Sequence, residues 1–353
     1  MSLRAEKALK IGNRLVGKGQ PCYIIAEAGV NHNGDVARAK KLIDAAVKAD
    51  ADAVKFQTFN SDELVTISAE KAGYQKKTTG AKEKQLNMLR KLELSPSDFK
   101  KLSQYAKVKG ITFLSTPFDN SSADLLEKLG VPAYKIPSGE ITNCSLLARV
   151  ARKNKPIIVS TGMSSLKEIR EAVHIVQREG TGEIALLHCV SGYPTRPEDV
   201  NLKVMATLRR AFGLPVGFSD HTTGISVPIA AVALGACIIE KHFTLDKNLP
   251  GPDHRASLEP GELAEMVKAI REVEKALGDG RKRLTPEEKA NQKAARRSLV
   301  AAKDIKAGKV ITADMICIKR PGTGLEPKDI DFVIGKKAKK TIAAGEVIHR
   351  ADV

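Results

Sequence analysis

The sequence has 353 residues, 42% of them apolar and 28% charged, with 58 basic against 41 acidic side chains for a formal net charge of +17. That balance is globular and excludes disordered, collagen-like and coiled-coil chains, while the length suits one barrel of roughly 250 residues with a small appendage. No apolar run approaches the ~20 residues of a transmembrane helix and residues 1–20 do not read as a signal peptide, so a cytoplasmic protein without a membrane partner is expected.

Eight short β-branched or apolar runs alternate with stretches of helical period: Cys22–Ala28, Ala53–Phe59, Thr112–Phe118, Ala133–Ser138, Pro156–Thr161, Ile184–Cys189, Val216–Ser219 and Cys237–Thr244. Helices are expected over Val36–Ala49, Pro96–Lys109, Ser121–Leu129, Leu146–Lys153, Ser165–Arg178, Leu202–Phe212, Ile225–Leu234 and Glu262–Leu277, with Asp35, Ser121 and Ser165 as caps. Eight strand–helix repeats whose strands are apolar throughout predict an α/β fold, a closed (β/α)8 TIM barrel, over an open doubly wound sheet, whose glycine-rich fingerprint is absent. Ser61–Lys84 is too long for an ordinary βα loop and reads as a lid or binding loop.

The barrel is expected over residues 1–277. A basic linker follows at 278–297, with a helix over Pro286–Ala295, and then a compact, mainly β module at 298–353 with short runs at Ser298–Ala301, Lys309–Ile311 and Lys340–Ile342. At that size the module leans on the barrel or on a second subunit. The five cysteines are scattered and never in a C-x-x-C arrangement, which fits reduced thiols.

A barrel does its chemistry at the C-terminal ends of its strands. Each exit here carries polar groups: Glu27, Lys55 with Gln57, Ser115-Thr116, Lys135 with Ser138, Ser160-Thr161, His188 to Tyr193, Ser219-Asp220-His221, and Glu240-Lys241-His242. Singly, each has a plain structural reading: barrel lysines paired with carboxylates, serines in turns, histidines satisfied in the core. Together, the lysines and hydroxyls form a donor cavity for phosphate or carboxylate. His221 and His242, on adjacent strand ends, are too few for a closed zinc site and suit a divalent ion that keeps water and substrate oxygens, such as manganese or magnesium. Glu27 is open to two roles, a general acid/base or an acceptor for sugar hydroxyls.

Several blocks resemble the sialic acid (N-acetylneuraminate) synthase family. They are Ile24 to Gly34, Lys55-Phe56-Gln57-Thr58, Lys135 to Glu140, Gly217 to Thr222, Glu240 to Thr244, Gly251-Pro252-Asp253-His254 and Lys319 to Gly324. The resemblance implies a TIM-barrel synthase joined to an antifreeze-like (SAF) domain. It implies condensation of phosphoenolpyruvate with an N-acetylated amino sugar, N-acetylmannosamine first, to a 2-keto sugar acid and phosphate. By the same resemblance His221 and His242 hold manganese, with magnesium or cobalt as alternatives, and Lys55, Thr116, Lys135, Ser138, Ser160, Ser191 and Ser219 surround phosphoenolpyruvate. Glu27, Gln57, Tyr193 and Asp253 contact the sugar, and Arg320 reaches the sugar site of the partner in a domain-swapped homodimer. Glu27, Lys55, His221 and His242 are the implied catalytic set.

One departure bears on the substrate: the family's usual asparagine is replaced by Ser191. Legionaminate-type synthases, which take a 2,4-diacetamido-trideoxyhexose, share nearly all the other motifs and are the alternative. A polyanion or nucleic-acid binder rests on net charge alone, because no finger, helix-turn-helix or aromatic-rich sheet motif is present. An ice-binding role for the last module conflicts with its eleven basic and seven acidic residues.

Overall fold

In a computed structural model of the protein, residues 8–180 and 182–353 are described. The eight expected runs become strands β3 (Tyr23–Gly29), β4 (Ala53–Thr58), β5 (Thr112–Pro117), β6 (Tyr134–Ile136), β7 (Ile157–Ser160), β8 (Ile184–Cys189), β9 (Val216–Asp220) and β10 (Ile238–His242). Their order is β5-β4-β3-β10-β9-β8-β7-β6, and every hydrogen-bonded pair is parallel. The first barrel strand pairs with the last, from Tyr23↔Ile238 to His242↔Glu27, and β5 lies beside β6, so the sheet closes into a TIM-barrel-like cylinder.

Side-chain alternation sorts the residues of each strand. Outward positions such as Ile24, Val54, Phe56, Phe113, Val159, Leu186 and Phe218 pack against the helices in the larger core. Inward positions at the N-terminal half, including Tyr23, Ile25, Leu114, Ile158, Leu187 and Ile238, form a second apolar cluster. An antiparallel hairpin absent from the sequence reading, β1 (Leu9–Ile11) and β2 (Arg14–Val16), adds Leu9, Ile11 and Val16 to that cluster and plugs this end. Gly217 faces inward where a Cβ would lie 2.4 Å from the Ile238 carbonyl oxygen and 2.7 Å from a Leu187 methyl, so the packed interior requires glycine there.

Two capping assignments hold and one changes. Asp35 caps the helix Val36–Lys48 and Ser165 forms a capping box with Glu168 on Leu166–Glu179. The helix expected from Ser121 instead spans Asn120–Leu129 and is capped by Asp119, whose carboxylate accepts from the Ser122 N–H at 2.6 Å. An ionised oxygen is the stronger acceptor for that free donor. Ser61–Lys84, expected as an open loop, contains the helical turn Ser61–Leu64 and the helix Gly73–Thr79, and Gln85–Arg90 follows directly.

The chain divides into two compact units, residues 1–278 and 279–353. The second contains the helix Pro286–Ala295 and the antiparallel pair β11 (Ser298–Ala301) and β12 (Ile316–Lys319). The runs expected at Lys309–Ile311 and Lys340–Ile342 are single bridges, Val310↔Lys337 and Ile305↔Ile342. They stop there because this unit packs as turns around Leu299, Ile305, Ile311, Val333, Ile342 and Ile348. Arg320 is exposed and precedes a cis peptide to Pro321. Among the described residues no helix is long and apolar enough to cross a membrane.

Candidate active site

One residue pair further along the alternation, the barrel interior turns polar. Glu27, Lys55, Thr116, Lys135, Ser160, Ser219, Glu240 and His242 occupy the next inward positions of their strands and are all buried. They line a cavity of about 480 Å³ together with Gln57, Ser138, Ser191, Tyr193, His221 and Asp253. Thirteen of the fourteen residues named from the sequence therefore surround one space; Arg320 belongs to the other unit.

Two lysines and two carboxylates form the floor. Lys55 Nζ lies 2.6 Å from Glu27 Oε2, 3.6 Å from Glu240 Oε2, and donates to Thr116 Oγ1 at 2.8 Å. Lys135 Nζ is 3.4 Å from Glu240 Oε1, which also accepts from Ser219 Oγ at 2.9 Å. Burial pushes the Glu27 carboxyl above the usual range against the pull of Lys55. Burial acts on Glu240 in the same sense, but Lys135 and Lys55 together outweigh it and hold that carboxyl below the usual range. The result is one carboxyl, Glu27, pushed up to about 7 and one, Glu240, held low between two lysines, a donor-rich cluster that can accept an anion.

Glu240 was noted from the sequence at a strand exit but given no role. Its signal was the spacing in Glu240-Lys241-His242: alternate residues of one strand share the inward face, and Lys241 points the other way. There Lys241 is fully buried, paired with Asp220 Oδ2 at 2.5 Å and donating to the Thr222 carbonyl. This outer pair joins the two strands that carry His221 and His242.

The serines ring the far side. Ser138 Oγ accepts from the Gly162 N–H at 2.9 Å, and a Cβ on Gly162 would come within 2.8 Å of that oxygen and 2.5 Å of Ser191 Oγ. Ser160 Oγ is buried with no partner. Strand β3 has a bulge between Glu27 and Gly29, and Gly29, at φ 52°, leaves room for Glu27, Gln57 and His242. Gln57 Nε2 donates to Glu27 Oε1 at 3.3 Å.

The rings of His221 and His242 lie 5.5 Å apart, with Tyr193 against His221 at 4.2 Å. His221 Nδ1 faces the Val190 carbonyl at 2.9 Å, an acceptor that draws a proton to Nδ1, and against its burial Cys189 and that carbonyl raise the imidazole above the ordinary range. Burial pushes His242 well below the ordinary imidazole range, so it stays neutral as a metal requires, and its Nδ1 is buried without a partner. The pair fits a divalent ion. Among the described residues no group of three or more His, Cys, Asp or Glu is placed to hold one, so an ion held by this pair would need further ligands from substrate or water. His188 has the plain structural role, bonded to the Val200 carbonyl at 2.6 Å.

The Asn31-His32-Asn33-Gly34 block fastens loops. Asn31 Nδ2 donates to the Phe243 carbonyl at 2.8 Å, and Asn33 bonds the Pro250 carbonyl at 2.6 Å and His254 at 3.1 Å. Those bonds seat the segment that carries Asp253, whose Oδ1 is buried without a partner and whose carboxyl burial raises to about 6. The segment Ser61–Lys84, read as a lid or binding loop, supplies Leu64, Val65, Tyr74 and Gln75 to the cavity, and residues 85–92 beyond it add Gln85, Met88, Leu89 and Leu92, none of them singled out from the sequence. Helical spacing that turns these side chains inward becomes visible only once the short helices are known.

Fold and site together define a (β/α)8-barrel protein with a floor of two lysines and two carboxylates beside two imidazoles. Comparison places it more closely: a model described as the NeuB family matches residues 42–282, and one described as the SAF domain matches residues 296–353. The chain belongs to the NeuB family. An N,N'-diacetyllegionaminic acid synthase of Campylobacter jejuni is 51% identical over 328 residues, covering 92% of this chain and 98% of that one. The N,N'-diacetyllegionaminic acid synthase of Legionella pneumophila is 48% identical, covering 94% of each. A crystal structure of an N-acetylneuraminic acid synthetase from Leptospira borgpetersenii in complex with citrate superposes with a TM-score of 0.72 at 38% identity, covering 81% of this chain and 95% of that one.

Proposed function

We propose that the protein condenses phosphoenolpyruvate with a 2,4-diacetamido-trideoxyhexose to give N,N'-diacetyllegionaminate and phosphate. The observation that carries the reaction is the floor, where Lys55 and Lys135 lie 3.6 and 3.4 Å from Glu240 and Lys55 lies 2.6 Å from Glu27, whose carboxyl burial pushes up to about 7. The acceptor follows from the 51% and 48% identity to two N,N'-diacetyllegionaminic acid synthases, which favours this sugar over N-acetylmannosamine, the first expectation from the sequence.

In the reaction, C3 of phosphoenolpyruvate bonds to the aldehyde carbon, water adds at C2, and the C2–oxygen bond breaks so that phosphate leaves with the bridging oxygen. Lys55, Lys135 and the hydroxyls of Thr116, Ser138, Ser160, Ser191 and Ser219 hold phosphate and carboxylate by charge-assisted hydrogen bonds, supplying position and charge compensation. Glu27 gives its proton to the aldehyde oxygen as that becomes a hydroxyl, and Gln57 orients it. Tyr193 and Asp253 bind the sugar. His221 and His242 would hold a divalent ion, manganese first, which supplies Lewis-acid polarisation of an oxygen. Arg320 serves the sugar site of a second subunit in a homodimer.

The test is phosphate release from phosphoenolpyruvate with manganese and, in parallel, N-acetylmannosamine, its 6-phosphate and the 2,4-diacetamido-trideoxyhexose. Release dependent on the last sugar is expected; no release with any of the three overturns the reading.

A further inference from the structure

The cavity has two chemically different halves. The floor carries its charges, whereas the wall from residues 61–92 and Phe118 carries none. This is not a matter of composition, because residues 61–92 contain eleven charged side chains. They are turned away from the cavity and several pair with each other: Lys76 with Glu70 at 3.0 Å, Arg90 with Asp62 and Lys91 with Glu83 at 2.5 Å each. Lys71, fully enclosed, donates to Thr79 Oγ1 at 3.0 Å. The cavity face is left to Leu64, Val65, Met88, Leu89, Leu92 and Phe118, which pack with Val30 and Phe59 into their own apolar cluster. Its polar groups are uncharged, chiefly the amides of Gln75 and Gln85.

The wall is fastened over the floor by side chains. Tyr74, on the helix Gly73–Thr79, stacks on Tyr193 with centroids 4.9 Å apart, and Thr78 Oγ1 donates to the Pro252 carbonyl at 3.3 Å. A preformed apolar wall with a few amides suits a ligand rich in methyl and amide groups and rejects a charged one.

We propose that this wall is the specificity determinant of the acceptor site, with Leu64, Val65 and Phe118 receiving methyl groups of the sugar and Gln75 and Gln85 its amides. The inference rests on the proposed reaction and names the side chains that select its deoxy, multiply acylated, unphosphorylated acceptor. A 2,4-diacetamido-trideoxyhexose presents two acetyl methyls and a C6 methyl, whereas N-acetylmannosamine presents one acetyl methyl and a hydroxymethyl. A 6-phosphate would bring a dianion to a wall with no cation.

The experiment compares the full-length protein with Val65→Thr, which keeps side-chain size and adds a hydroxyl, and Leu64→Gln. Neither residue is fully buried, and circular dichroism checks folding. For each, kcat/KM of phosphate release is measured with the three aldoses, and binding of the diacetamido sugar is measured by calorimetry. Each lost methyl contact is worth at least about tenfold in discrimination. The wild type is expected to prefer the diacetamido sugar to N-acetylmannosamine by roughly a hundredfold and to reject the 6-phosphate, and each variant narrows the first ratio about tenfold with KM for phosphoenolpyruvate unchanged. Phosphate release at similar kcat/KM for all three sugars, or ratios unmoved in both folded variants, overturns the wall and leaves the reaction standing. Tight binding of the diacetamido sugar, weakened in the variants, without phosphate release overturns the reaction and supports the wall.

Discussion

Glu27 and Glu240 have the same chemistry and opposite proton affinities because their neighbours differ: Glu240 faces two ammonium groups and a serine hydroxyl, while Lys55 alone approaches Glu27 closely. Asp253 shows burial acting almost unopposed. Its folded carboxyl is raised from 3.8 to about 6, so the folded chain retains a proton that the unfolded chain has lost. The contribution of that proton is complete below pH ~4 and is lost as pH rises through ~6, a cost of about 3 kcal/mol at neutrality. Asp253→Asn should therefore melt higher than the wild type at pH 7 to 8, with the gap closing toward pH 4; a gap that does not change with pH would contradict a buried, unpartnered carboxyl. His221→Ala leaves His242 as a lone imidazole. Loss of turnover, restored neither by excess manganese nor by other divalent ions, with an unchanged circular dichroism spectrum, is expected; near-normal activity after that substitution or after chelation would remove the metal role.

At the scale of elements, each barrel strand is a short programme of alternating positions: helix-facing apolar residues on one side, and on the other an apolar layer followed by a reactive one. That order was legible because exits such as Lys55-Phe56-Gln57 place a core residue between two cavity residues. Of the segment 61–92, only Ser61–Lys84 was legible, as a stretch long enough to cover the site. Its apolar side chains are separated by charged ones at spacings that match no long helix, and three short helices are needed to bring them to one face. The exit of β7 makes a sharper prediction. Gly162→Ala places a methyl against Ser138 Oγ and Ser191 Oγ, so both hydroxyls must move. KM for phosphoenolpyruvate should rise roughly ten- to hundredfold, the worth of a hydrogen bond to a charged group, with thermal stability nearly unchanged. An unaltered KM would show that these hydroxyls do not face the anion.

For the whole molecule, the two units were legible from a change of texture after Leu277, and each has its own core. Arg320 stands in the second unit, exposed just after β12, and the proposed function gives it a role toward a second subunit. Arg320→Ala in the full chain should raise KM for the sugar about tenfold or more while leaving KM for phosphoenolpyruvate unchanged, and light scattering should give the mass of two chains. Unchanged sugar kinetics would separate the SAF unit from the active site.

By itself the sequence determined the eight-fold repeat, the closed barrel and the polar strand exits, because strand periodicity is local and a barrel maps each strand end to a common mouth; the thirteen residues that meet in one cavity were implied by the resemblance of its motifs to a known family. Only the tertiary structure decided which carboxyl keeps a proton, that Glu240 belongs to the floor, and that a highly charged segment shows the cavity an apolar face. Those properties depend on distances between strands and on which side of a short helix is turned inward, and neither is encoded in the spacing of residues along one element.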